Sequence, residues 1–232
     1  MFFFGYDPTW YLLIPGLILA FWAQAKVSST FARYSRVRSR RGLTGAQVAR
    51  AMLNQAGLHN VAVEPIPGNL TDHYDPRHQV VRLSPAVYHE DSLAALGVAA
   101  HETGHALQHA RGYAPLGIRN SLFPVANLGS TLAFPLFVLG FLFGGRSGVW
   151  FMDLGILLFT GALLFQVVTL PVELNASRRA VALLEEGGYL LPEETDGAWQ
   201  VLSAAAWTYV AAALVAVLQL VRLLMLRGSR DD

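Results

Sequence analysis

The sequence contains no cysteine in its 232 residues. That excludes disulfides and any thiolate metal site. Charge is scarce too, at 14% of residues against 53% hydrophobic. A formal net charge of +1 gives no reason to expect a nucleic-acid partner. Internal repeats, low-complexity tracts and a glycine-rich phosphate loop are all missing, which removes solenoids, disordered linkers and P-loop nucleotide binding from consideration. What remains is apolar sequence gathered into long uncharged runs, a pattern that points to lipid rather than to a soluble core.

Four runs stand out. Pro8 to Ala25 carries no charge over 18 residues, Leu122 to Phe143 none over 22, and Val201 to Val221 none over 21, while Val149 to Val172 holds the single charge Asp153. Each matches the roughly 20 residues that an α-helix needs to cross about 30 Å of hydrocarbon. Trp10, Tyr11, Trp22, Trp150 and Trp207 lie near the ends of these runs, where interfacial aromatics gather. Ala23-Gln24-Ala25 imitates a signal-peptide cleavage site, but the seven residues before Pro8 carry no basic side chain and strongly basic sequence follows. The first run therefore reads as an uncleaved anchor.

Four crossings put residues 26–121 and 173–200 on one side, and 144–148 and the C-terminal tail on the other. Of the 17 Lys and Arg, thirteen, from Lys26 to Arg179, fall on the first side; Arg146, Arg222, Arg227 and Arg230 fall on the second. The positive-inside rule makes the first side cytoplasmic. The expected organisation is an anchor (1–25), a cytoplasmic segment (26–121), a transmembrane hairpin (122–172), a second cytoplasmic segment (173–200) and a last span with its tail (201–232).

The 26–121 segment holds all seven histidines. Its basic opening, Lys26 to Arg41, reads either as a patch for anionic headgroups or as a solvated charge run. Thr44 to Gln55 has helical periodicity with Thr44 as N-cap. Leu70 to Tyr74 and Gln79 to Leu83 flank Asp75-Pro76-Arg77-His78 as a hairpin with a longer turn. Ser84-Pro85 opens a short helix to His89, and Asp91-Ser92 leads into a longer one from Leu93 to about Ala110.

On that longer helix His101, Glu102 and His105 spell H-E-x-x-H, here HETGH. A spacing of four puts both imidazoles on one face about one turn apart, so both can reach a single Zn²⁺. Glu102 stands beside the metal without ligating it. There it can take a proton from the attacking water and pass it to a leaving amine. The alanine-rich approach, Ala94 to Ala100, allows close packing, and no other place in the chain brings two histidines and a carboxylate to ligand spacing.

A hydrolytic zinc site has three protein ligands and an open position. His109 is one candidate for the third, although three histidines at successive i, i+4 steps drift around a straight helix. A metzincin-type third histidine would fall on Arg111 and is excluded. Glu173, just beyond the third run, is the better candidate because two crossings return it to the face of the HETGH helix.

HETGH together with Glu173-Leu-Asn-Ala-Ser-Arg-Arg-Ala180, Leu70-Thr-Asp-His-Tyr-Asp-Pro76, Leu83-Ser84 and Ala205-Ala-Trp-Thr-Tyr-Val-Ala-Ala212 resembles the YugP-type membrane zinc peptidases. These are distantly similar to the HtpX-like and CAAX-prenyl endopeptidases, whose third ligand comes from E-x-x-x-D. In this chain the aspartate position is Ser177, so its supporting role would pass to Asn175 or Arg178. The resemblance also implies that the hairpin offers an edge strand to substrate, with His73 or Tyr74 polarising the scissile carbonyl.

The expectation is a mainly α membrane protein: about four transmembrane helices and a zincin-like α+β part, holding one Zn²⁺ per chain and cleaving peptide or protein substrates, membrane proteins among them. Two other readings compete. An intramembrane metalloprotease would draw Asp153 of Met152-Asp-Leu-Gly155 to the metal, but twenty helical residues, roughly 30 Å, separate it from Glu173. A zinc-stabilised scaffold would fill all four metal positions, mostly with Cys and His, which a cysteine-free site does not do.

Overall fold

The computed structural model describes residues 8–229; the expectations resting on residues 1–7 and on Arg230 lie outside them. A 3₁₀ turn, Pro8–Leu13, leads into α1 (Ile14–Tyr34), followed by α2 (Gly45–Gln55), β1 (Ala62–Pro65), β2 (His73–Asp75), β3 (Val80–Leu83), α3 (Pro85–Tyr88), α4 (Leu93–Ala110), α5 (Ala114–Phe143), α6 (Gly145–Glu186) and α7 (Pro192–Gly228). Four of these helices are long and apolar enough to cross a membrane. The protein is thus a mainly α membrane protein with one small sheet.

The four long helices outrun the apolar stretches that announce them. α6 continues to Glu186, well beyond Val172, because its polar half buries Val172, Glu173, Ala176, Ser177, Ala180 and Leu184, the spacing of one helical stripe. A helix needs lipid only where it is apolar all round. Beyond that point, a single buried stripe sustains it.

The segments group into two compact units. One is built from the chain up to Trp22, Ile118–Leu170, and the chain from Thr208 onward. Only Gly144, in left-handed conformation (φ 64°), separates α5 from α6. Small residues let these two helices touch: a Cβ at Gly155 would come within 2.7 Å of the Ala133 carbonyl oxygen, and Gly140 and Gly148 face each other in the same way. Such backbone approach gives apolar helices a packing gain where the hydrophobic effect supplies none. Phe21, Phe143, Trp150 and Leu157 remain exposed, as lipid-facing side chains do. Asp153 pairs with Arg227 at 2.9 Å, and Arg222 lies over the Trp10 ring at 4.3 Å while donating to Thr9 Oγ1 at 3.1 Å.

The second unit comprises Ala23–Gly117 and Pro171–Trp207. Its strands run in the order β1-β3-β2, with β1 parallel and β2 antiparallel to β3. The β2/β3 hairpin is as expected, but its strands are shorter. Leu70 (φ 55°) and Gln79 (φ 51°) are both left-handed, so extension cannot start until His73 on one strand and Val80 on the other. Asp72 clamps the arrangement, its carboxylate accepting from Ser84 N at 2.7 Å and from Ser84 Oγ at 3.0 Å.

Thr44 and Gln47 form a reciprocal capping box on α2, and Ser92 Oγ caps α4 by accepting from Ala95 N at 3.2 Å. Two apolar clusters enclose α4. Tyr34, Met52, Leu184, Leu190 and Leu202 pack against its Leu93, Leu96 and Ala100. Leu53, Val81, Leu83 and Val87 pack against Ala99, Ala106 and Leu107. Of the 18 residues of α4, 14 are buried, which the run of alanines and glycines makes sterically feasible. The basic opening is partly consumed inside this unit: Arg38 binds Asp91 at 2.8 Å, and Arg40 binds Glu193 at 3.0 Å.

Candidate metal centre

α4 and α6 meet backbone to backbone at Gly104. A Cβ there would stand 2.9 Å from the Ala176 carbonyl oxygen, so the glycine of HETGH is what admits the α6 backbone. Glu173, three residues before Ala176, is thereby brought beside the two imidazoles. Its Oε2 lies 3.2 Å from His101 Nε2 and 3.6 Å from His105 Nε2, and the His101 and His105 rings stand edge to face with centroids 4.7 Å apart.

The ligating atoms of His101, His105 and Glu173 all fall within 4.8 Å of one another, a set that could hold a metal ion. Its chemistry fits zinc: two imidazole nitrogens, one carboxylate and no competing thiolate. The outward nitrogens are occupied elsewhere, as they are in histidines that ligate through Nε2. His101 Nδ1 meets Ser177 Oγ at 3.1 Å, and His105 Nδ1 meets Gln108 Oε1 at 3.0 Å. Glu173 is only 3% exposed, a costly position for a carboxylate unless cationic or hydrogen-bonding partners surround it. Burial lowers the His105 pKa, but the Glu173 hydrogen bond and the charges of Glu102 and Glu173 outweigh it and leave the value raised. Glu102 itself is buried, 9% exposed, on the turn between the two histidines.

The remaining sequence candidates separate. His109 stands apart from the donor set: its Nδ1 meets the Tyr74 hydroxyl at 2.8 Å, where the α4 face has drifted toward β2. Tyr74 is held as a donor at neutral pH, since burial and then the Asp75 charge both push its phenol upward. His73 turns Nδ1 to Thr71 O, 2.8 Å away in its own loop. Asp153 pairs with Arg227 and is not among the three donors.

Of the two supporting residues expected, Asn175 lies in the network around the imidazoles, and Arg178 makes no hydrogen bond with it among the described residues. Ser177, where the resemblance had put the lost aspartate, itself reaches His101 Nδ1. Arg178 is exposed. Its neighbour Arg179 instead donates to Asn175 Oδ1 at 2.7 Å and lies over the Tyr113 ring at 6.0 Å. Asn175 acts through Gln108, whose Nε2 donates to it at 3.0 Å and to Val172 O at 2.8 Å. Gln108 escaped notice in the sequence, although its position three residues after His105 on a helix was a usable signal.

Four membrane-length helices and a group of His101, His105 and Glu173 that could hold a metal ion fit the class of multi-pass membrane metallopeptidases. The chain belongs to the zinc peptidase family described as "Putative neutral zinc metallopeptidase", whose family model matches residues 9–228. It is similar to the "Putative membrane protease YugP" of Bacillus subtilis (strain 168), with 50% identity over 223 residues that cover 96% of this chain and 98% of that protein. No solved structure matches it.

Proposed function

We propose that this chain is a membrane-anchored zinc endopeptidase in which His101, His105 and Glu173 hold one Zn²⁺ and Glu102 moves the proton. The observation that carries this reading is the convergence of two Nε2 atoms and a buried carboxylate oxygen on one point, with Glu102 on the turn between the histidines. Zinc, when bound, supplies Lewis acidity toward the attacking water and the scissile carbonyl.

The chain's own residues do the rest. Glu102 accepts a proton from the attacking water and later delivers it to the leaving amine as the C–N bond breaks, so the carboxylate is regenerated each turnover. Glu173 adds the negative charge that two neutral imidazoles lack. Tyr74, kept protonated and with a hydroxyl that can accept from His109 Nδ1–H, then has its own proton to donate toward the developing oxyanion. The free edge of β2 would pair with an extended substrate backbone. Backbone pairing asks for extended chains rather than particular side chains, which suits peptides and unfolded or membrane-proximal protein segments.

The site is assigned to the cytoplasmic face. What supports this is the thirteen-to-four distribution of basic residues about four spans. Purified wild type, Glu102→Gln and His101→Ala in a mild detergent test the chemistry: wild type should cleave an unfolded reporter, Glu102→Gln should hold zinc without cleaving, and His101→Ala should lose the zinc. Cleavage that persists in Glu102→Gln would refute the proton assignment.

A further inference from the structure

Gln108 is completely buried, at 0% exposure, and a buried primary amide is costly unless both of its ends are satisfied. Both are, and the partners dictate which end is which. The Val172 carbonyl can only accept, so the NH₂ group of Gln108 must face it, at 2.8 Å. Arg179 can only donate, so Asn175 must turn its oxygen to Arg179 Nε at 2.7 Å, and the same oxygen receives Gln108 Nε2 at 3.0 Å. The Gln108 oxygen is left for His105 Nδ1 at 3.0 Å. A carbonyl oxygen has no proton to give, so Nδ1 must carry one. With zinc bound, the lone pair would then be on Nε2, the atom beside Glu173 Oε2 at 3.6 Å.

We infer that Gln108 is a positioning residue for the metal centre: its amide takes its orientation from the α6 backbone and imposes one tautomer and one ring plane on His105. Val172 immediately precedes Glu173, so the clasp that sets one ligand sits one residue from another. At Nδ1, His101 has no equivalent constraint, because the Ser177 hydroxyl can either donate or accept. The two Nδ1 contacts are therefore asymmetric: the one on His105 has a fixed direction and the one on His101 has not. This inference rests on His101, His105 and Glu173 being the zinc ligands.

The test uses the full-length protein in a mild detergent, with Zn²⁺ in competition with a chelator and Co²⁺ as the spectroscopic probe. Gln108→Met keeps the length and loses the amide. Gln108→Glu keeps an acceptor for Nδ1–H and loses the donor to Val172. The Met variant should bind zinc about 10- to 100-fold more weakly and show a shifted Co²⁺ visible spectrum. The Glu variant should recover most of that affinity, even though both variants lose the staple to α6 and thermal stability with it. A merely structural role would weaken zinc binding equally in the two. Wild-type affinity and spectrum in Gln108→Met, or a Glu variant no better than Met, would overturn the inference. Should the Met variant not fold, ¹⁵N-histidine spectra of the zinc-loaded wild type decide: His105 must coordinate through Nε2 with Nδ1 protonated, and coordination through Nδ1 refutes the proposal. His101→Ala separates the two levels. If it keeps stoichiometric zinc, the ligand assignment itself falls; if it loses zinc while Gln108→Met behaves as wild type, only the role of Gln108 falls.

Discussion

Gly104 and Ala176 meet backbone against backbone, the hydrogen of one glycine facing the carbonyl oxygen of the other helix, and the register of the two metal-site helices is set at that contact. A methyl group there has 2.9 Å where ordinary contacts need more than 3.4 Å. Gly104→Ala should push α6 away from α4 and carry Glu173 with it. Overpacking of this kind costs about 1–3 kcal/mol. The expected result is a lower Tm and a disproportionate loss of zinc affinity, measured by chelator competition; unaltered affinity would mean that the helices part elsewhere.

Glu173→Ala and His109→Ala make a paired comparison. Removing Glu173 deletes the only charged member of the donor set, so zinc content after gel filtration should fall to background and turnover with it. Removing His109 deletes a partner of Tyr74 and no donor, so zinc should stay stoichiometric. Turnover in His109→Ala should drop about tenfold to a hundredfold through a disoriented Tyr74, and Tyr74→Phe should show a similar drop.

For Glu102→Gln, the expected loss of turnover is about 10²- to 10⁴-fold at full zinc occupancy. This variant should also retain bound substrate. Expressed in native cells and purified, it should carry polypeptides that the His101→Ala protein does not, and mass spectrometry of the two preparations reads the difference.

Asp72 accepts from both polar atoms of Ser84 and so joins the loop before β2 to the start of α3. Hydrogen bonds to a charged acceptor contribute about 1.5–3 kcal/mol. Asp72→Ala should lower Tm and raise KM more than it lowers kcat, because the edge that would meet substrate loosens while the donor set is untouched. An equal fall in zinc content would point to global unfolding instead.

Asp75 provides a pH dependence. Its hydrogen bond with His78, and less strongly that with Arg82, hold its carboxyl well below the ordinary value despite some opposing desolvation. A carboxyl with a depressed folded pKa contributes stability above its unfolded pKa of about 3.9 and loses it as pH falls toward the folded value. The Tm gap between wild type and Asp75→Asn should therefore narrow as pH falls below about 4.

Much of this was legible because the decisive features are local. Ser92, the alanine run and the four-residue spacing of His101 and His105 lie within one helix, and the bounds Leu93–Ala110 follow from them. Glu173 could be placed by counting crossings. Ser177 and Arg179 could not be assigned, because a hydroxyl and a surface-type arginine become site residues only through a non-local approach of α4 and α6; Gln108 was signalled only by its place three residues after His105. The parallel pairing of β1 with β3 was hidden for the same reason: the stretch from Val61, broken by Pro65, Pro67 and Gly68, reads as short extended pieces whose partner, Val80–Leu83, is not a sequence neighbour.

The edge strand β2 is three residues long. A short edge offers few backbone groups to a second strand, and longer exposed edges are where proteins zip together into aggregates. Under the proposed function, a surface that receives unfolded chains for cleavage would have to grip them without seeding their assembly. Three residues would hold a chain loosely enough for its fragments to leave, and the small size of the sheet would then guard the protein against aggregation with its substrates.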